Sequence, residues 1–151
     1  LRARGVEQAR VTLHVGYGTF KPVRVQQVEE HVVDPERISV SAEAAAALTR
    51  AKQQGRRIIA VGTTTARVLE SLPIGSAGDV AATTGEAGVF IRPGHRFQLV
   101  DGLITNFHLP RSSLLMLVCA FGGRERVLAA YRDAVASRYR FYSYGDAMCI
   151  V

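Results

Sequence analysis

The apolar run Ile58-Ile59-Ala60-Val61, introduced by Arg57, passes without a break into Gly62-Thr63-Thr64-Thr65 and then into a helical pattern ending near Ser71. A short β-branched run, a glycine turn and a 3.6-residue period in that order form a strand–turn–helix unit. Such a unit buries its strand only when a sheet is covered by helices, so the chain is expected to be α/β. We read 57–61 as a buried strand and the helix as starting at the threonines.

The flanking segments are compatible with that class. Residues 11–15 alternate and enter a turn at Gly16 and Gly18, and Val23 to Val28 alternate again, giving two candidate strands. Ser41 caps a helix through Gln54, with Ala44, Ala47, Leu48 and Ala51 on one face and Gly55 as its stop. Pro73 to Gly88, rich in Gly, Ala and Thr, reads as a mobile loop, followed by a hairpin of 89–91 and 97–100 about Pro93-Gly94. Leu103-Ile104-Thr105 is a further strand, and Ser112 opens an apolar helix that stops at Gly122-Gly123. Val127, Leu128, Tyr131 and Val135 give the next helix its buried stripe, and the chain ends in a strand after a bend at Gly145.

With 151 residues the chain is one domain with room for a core. No apolar run reaches the length of a membrane span and no signal peptide is visible. Two cysteines, Cys119 and Cys149, build no disulfide framework and suit a reducing, cytoplasmic setting. The formal charge of +6 favours a polyanionic partner, with Arg124, Arg126, Arg132, Arg138 and Arg140 clustered late, although a solvated helix face has the same composition. The histidines at 14, 31, 95 and 108 and the cysteines show no metal-ligand spacing, so no metal is expected. No serine or cysteine sits in a nucleophile elbow.

Three polar clusters stand out. Thr105-Asn106-Phe107-His108-Leu109-Pro110-Arg111-Ser112 places hydrogen-bonding and proton-transfer groups at the mouth of a buried helix, or is simply a strand end, a turn and an N-cap. Gly62 to Thr65 offers unpaired helix N–H groups to an anion, or is capped by Thr63 alone; Arg67 and Glu70, three apart, read as a surface pair. His14 to Phe20 combines a histidine, two glycines that let a ligand approach the backbone, and an aromatic ring, or is a hairpin turn. Asp146 could orient a histidine or bond its own backbone.

Taken together, the blocks 14–24 (HVGYGTFKPVR), 62–71 (GTTTARVLES), 90–97 (FIRPGHRF), 100–110 (VDGLITNFHLP) and 139–148 (YRFYSYGDAM) resemble the S-adenosylmethionine:tRNA ribosyltransferase-isomerase family of queuosine biosynthesis. The chain resembles its C-terminal half. The resemblance implies that 1–151 is part of an α/β, barrel-like catalytic domain with a mixed sheet, without the family's N-terminal segment and inserted small β-barrel. The leading Leu1 fits a piece of a longer polypeptide. The chain departs from the family pattern at Val33-Asp34 and at Glu86-Ala87-Gly88.

The implied reaction transfers the ribosyl part of S-adenosylmethionine to 7-aminomethyl-7-deazaguanine at the tRNA wobble position. It isomerises that group to give epoxyqueuosine and releases adenine and methionine. The sulfonium acidifies the adjacent ribose carbon, and the resemblance assigns the base to His108 or His14. Asn106 and Asp146 would orient groups about the ribose. Gly16, Gly18 and Thr19 would approach the co-substrate closely. Thr63, Thr64 and Thr65 would hold the methionine carboxylate with Arg67 in support. Phe107, Phe20 or Tyr144 would stack on a base, and the late arginines would meet tRNA phosphates. The expected state is a cytoplasmic monomer with no membrane contact. Two other readings fit the residues: a tRNA-binding module of this fold without catalysis, and a small-molecule α/β enzyme binding an anion at Gly62–Thr65.

Overall fold

The computed structural model describes residues 1–16 and 33–151. The expected strand over 23–28, His31 and the site candidates Gly18, Thr19 and Phe20 lie outside the described residues. The described residues form a mixed α/β structure of two three-stranded sheets and four α-helices, after a short 3₁₀ turn at Arg2–Arg4. The first sheet is antiparallel, with β1 (Val11–Leu13) and β4 (Thr83–Ala87) on either side of β2 (Glu36–Val40). In the second, mixed sheet, β5 (Gly102–Asn106) runs parallel to β3 (Ile59–Val61) and antiparallel to β6 (Ala147–Ile150).

The helices are α1 (Ala42–Gln53), α2 (Thr63–Glu70), α3 (Ser113–Gly122) and α4 (Arg124–Ala136), and α2 packs against β1 of the first sheet and β3 and β5 of the second. Ser41 starts α1 by accepting the Ala44 N–H at 3.2 Å, and Ser112 starts α3 by accepting from Leu115 N at 3.1 Å. Each side-chain acceptor satisfies one of the first-turn donors that a helix leaves open. Gly123, at φ 81°, closes α3 and opens α4, a backbone angle that only glycine takes at no steric cost. The core joins Val68 of α2, Leu103 of β5, Leu117 and Val118 of α3, and Ile91 and Leu99 of the irregular chain between the sheets. Full burial of each such side chain contributes roughly 1.5–3 kcal/mol. No described helix is long and apolar enough to cross a membrane.

Several sequence expectations are corrected here. The loop expected over 73–88 contains β4, whose Thr-Thr-Gly-Glu-Ala has no apolar alternation and becomes a strand by pairing with all five residues of β2. The hairpin expected over 89–100 keeps its turn at Pro93-Gly94 but has no ladder, because the N–H groups of Gln98, Leu99 and Val100 bond the Glu70 carboxylate instead. Strand β3 is buried on one face only: Ala60 is sealed, whereas Ile59 and Val61 are 38% and 67% exposed on the sheet's edge strand. On α4 the inward position belongs to Ala134, and Val135 is exposed. Arg67 and Glu70 are no surface pair, since both are buried and bond different partners.

Candidate active site

Strand β5 ends at Asn106, and its alternation decides which neighbouring side chains reach solvent. Thr105 and Phe107 turn inward, at 4% exposure each, while Asn106 is exposed. Phe107 therefore joins a ring cluster, with centroids 5.3 Å from Tyr131 and 5.1 Å from Phe141. It is packed among these rings and offers no free face to a base, which corrects its expected stacking role. His108 follows where the chain leaves the sheet. Its amide N–H donates to the Tyr131 hydroxyl at 2.8 Å, and its Nε2 lies 2.9 Å from Thr105 Oγ1.

Beside this strand end, α2 begins at Gly62, whose amide donates to Ile104 O at 2.7 Å. Thr63 does not cap the helix: Gly62 is the N-cap, at φ 94°, and no side-chain cap bond forms. Among the described residues the first-turn N–H groups thus have no side-chain acceptor at the positive end of the helix dipole. Thr63 and Thr64, with Asn106 and His108, line a cavity of about 460 Å³. Leu109, Ser112 and Leu114 close it from the turn into α3, and Tyr142 and Ser143 from the segment before β6. The volume is in the range of small-molecule sites.

Burial pulls the His108 imidazole down from 6.5 to about 4, so the ring is neutral through the neutral range. The unfolded ring takes a proton as pH falls through 6.5 and the folded ring only near 4. The stability that neutral His108 provides is therefore complete above pH 6.5 and lost progressively towards pH 4. An NMR titration of the folded protein is expected to place the His108 midpoint near 4; a midpoint at 6.5 would contradict its burial.

Other candidates are not brought to this cavity. His14 is exposed, and its amide donates to Arg37 O at 2.8 Å. Gly16 gives its N–H to Glu36 Oε1 at 2.8 Å, so that donor is already used. Thr65 donates its hydroxyl back to Val61 O at 2.8 Å and lines a separate groove with Ala9 and Leu69. Asp146 orients no histidine among the described residues; it accepts from the Arg140 amide and guanidinium at 2.5 and 3.2 Å, and that pairing holds its carboxyl below the usual range. Arg67 is 6% exposed and bonds Glu36 Oε2 through Nη1 at 2.6 Å, while its Nη2 has no partner among the described residues.

Glu36 went unnoticed in the sequence. It bridges Gly16 and Arg67, tying the His14 block to the Gly62 block from a position 3% exposed. The signal was present: Glu36, Ile38 and Val40 share one face of an alternating strand, which puts the carboxylate on the buried side. Among the described residues no three His, Cys, Asp or Glu side chains group as a metal site requires.

The model of the family described as queuosine biosynthesis protein matches residues 1–150. The chain belongs to this family. Curated relatives of this chain are named S-adenosylmethionine:tRNA ribosyltransferase-isomerase. The one from Anaeromyxobacter sp. (strain Fw109-5) is 62% identical over 150 residues, covering 99% of this chain and 43% of the relative. That from Heliobacterium modesticaldum is 59% identical over 151 residues, covering 100% and 44%. The crystal structure of S-adenosylmethionine tRNA ribosyltransferase from Thermotoga maritima superposes with a TM-score of 0.79 at 44% identity, covering 99% of this chain and 47% of that one. The chain therefore spans less than half the length of these relatives.

Proposed function

We propose that this chain is the C-terminal part of the catalytic domain of an S-adenosylmethionine:tRNA ribosyltransferase-isomerase, and that the cavity between β5 and α2 handles the ribosyl donor. One observation supports this most: Asn106 and His108, at the end of β5, share a cavity with Thr63 and Thr64 at the open start of α2. An amino-acid carboxylate suits the uncapped helix start, whose N–H groups and dipole favour an anion. The ribose then extends towards Asn106 and His108.

The sulfonium makes the neighbouring ribose carbon a carbon acid, and His108 takes a proton from it to start the loss of adenine. Nδ1 of His108 has no partner among the described residues, whereas Nε2 has Thr105. For Nδ1 to accept, Nε2 must carry the hydrogen and donate to Thr105 Oγ1, a tautomer that the 2.9 Å separation permits. Burial keeps the ring unprotonated but also weakens it as a base, so the developing negative charge next to sulfur must share the work. Asn106 provides an amide to a ribose hydroxyl. The acceptor in this reading is the 7-aminomethyl-7-deazaguanine of a cytoplasmic tRNA, the product is epoxyqueuosine, and the chain's +6 charge suits that polyanion.

The test is adenine release. The full-length polypeptide, given S-adenosylmethionine and tRNA carrying the aminomethyl-deazaguanine, is expected to liberate adenine in step with nucleoside modification. Binding of that tRNA without adenine release would overturn the catalytic reading and favour a tRNA-binding module.

A further inference from the structure

We infer that the segment from Arg138 to Tyr144 is a preformed platform for unpaired RNA nucleotides flanking the reacting base, with Tyr142 and Tyr144 as its stacking surfaces; this rests on the proposed function.

The segment has an inner and an outer face. Phe141 points inward, its centroid 5.1 Å from that of Phe107 and 5.7 Å from that of Tyr131. Tyr142 and Tyr144 are 45% and 72% exposed, an unusual display for large rings that a core would otherwise take up. The backbone beneath them is fixed at several points. Tyr139 N bonds Ala134 O at 2.9 Å, Tyr142 N bonds Phe107 O at 3.0 Å, and Arg140 is clamped to Asp146. Arg138 and Tyr142 are held at φ 58° and 60°, a conformation that side chains rarely adopt without support from their surroundings. The rings are thus presented in a set arrangement, so little ordering is left for a partner to impose.

Position and charge identify the partner. Tyr142 and Ser143 are on the cavity wall, so whatever the tyrosines bind lies beside whatever enters the cavity. Arg111 stands in the turn between Leu109 and Ser112, which line the same cavity. Arg111 and Arg138 are exposed and have no carboxylate partner among the described residues, and Asp146, the sole acid of 138–146, is engaged by Arg140. Exposed cations in the two segments that carry the cavity-lining Leu109, Ser112 and Tyr142, together with exposed rings, suit a phosphodiester chain whose bases are out of their helix. A base drawn into an enclosed site leaves its neighbours unstacked, and aromatic rings replace that stacking. The two tyrosine rings lie 6.3 Å apart at 89°, so they cannot extend one continuous stack. Each accepts a base from a sharply turned strand, which a loop has and a duplex lacks.

The experiment compares Tyr144→Ala, Tyr142→Ala and Tyr144→Phe in the full-length enzyme, using an RNA hairpin with an unpaired loop and a blunt duplex of the same length. Tyr144→Ala and Tyr142→Ala are each expected to weaken hairpin binding about tenfold, a typical loss for one stacked base. With Tyr144→Ala, duplex binding and the KM for S-adenosylmethionine stay as in the wild type, and Tyr144→Phe restores hairpin affinity. Unchanged hairpin affinity in both alanine variants, or equal losses on hairpin and duplex, would overturn the platform. If the wild type releases adenine while the variants bind normally, only the platform fails. If the wild type neither binds RNA nor releases adenine, the underlying function fails with it.

Discussion

Replacing Glu70 by alanine is expected to destabilise the fold by about 4 kcal/mol, because one carboxylate takes the place of a missing strand partner. Oε1 accepts from Leu99 N at 3.0 Å and Val100 N at 2.9 Å, while Oε2 accepts from Gln98 N at 2.8 Å and approaches His95 Nε2 at 3.3 Å. Leu99 and Val100 are 0% and 4% exposed, so water cannot replace the lost acceptor. Each orphaned buried donor costs roughly 1–3 kcal/mol, and the alanine leaves a cavity besides. For a domain of this size that is a fall of about 10 °C in Tm. Glu70→Gln keeps a single acceptor oxygen and is expected to be intermediate. Thermal unfolding of both variants measures this, and a loss below about 1 kcal/mol for the alanine would show that the 97–100 segment is held by packing alone.

The same residue shows what a sequence conceals. Local rules found the helices, because a cap and its first turn lie together: Ser41 with Ala44, Ser112 with Leu115. They found β5 in the run Leu103-Ile104-Thr105 and β6 after the bend at Gly145. Partners remote in sequence were not legible. Glu70 meets Gln98, Leu99 and Val100, and Arg67 meets Glu36 thirty-one residues away, so charged groups with the look of a solvated helix face are buried. For β4 the information is in β2, since TTGEA has little strand character of its own.

The site was read in part for the same reason. The Gly62–Thr64 turn and the Asn106–His108 strand end reach one cavity because β3 and β5 are adjacent parallel strands, which brings their C-terminal ends side by side. His14 follows β1, and Asp146, in the same segment as Tyr142 and Ser143, is engaged by Arg140; neither lines it, which no spacing rule could decide. Phe107 was assigned outward, although the exposed Asn106 and the buried Thr105 and Phe107 follow simple strand alternation. The structure also adds what the sequence did not suggest: Tyr142 and Ser143 as a wall of the cavity, and Glu36 as the link between two motif blocks.

Catalysis is expected to suffer most from His108→Ala. Losing a positioned proton acceptor lowers rates by roughly 10²–10⁴-fold. The ring is bonded to Thr105, and the Tyr131 hydroxyl accepts from the His108 backbone amide, so both ring and backbone are held in place. Thr63 and Thr64 at the α2 start are untouched by the change, and affinity for the amino-acid end of the donor should persist. The decisive measurement is steady-state adenine release by the full-length His108→Ala enzyme with S-adenosylmethionine and its tRNA. A kcat at least about 100-fold below wild type, with the KM for S-adenosylmethionine within about threefold, is the predicted result. Near-normal turnover with intact substrate affinity would contradict it and move the chemistry away from this cavity.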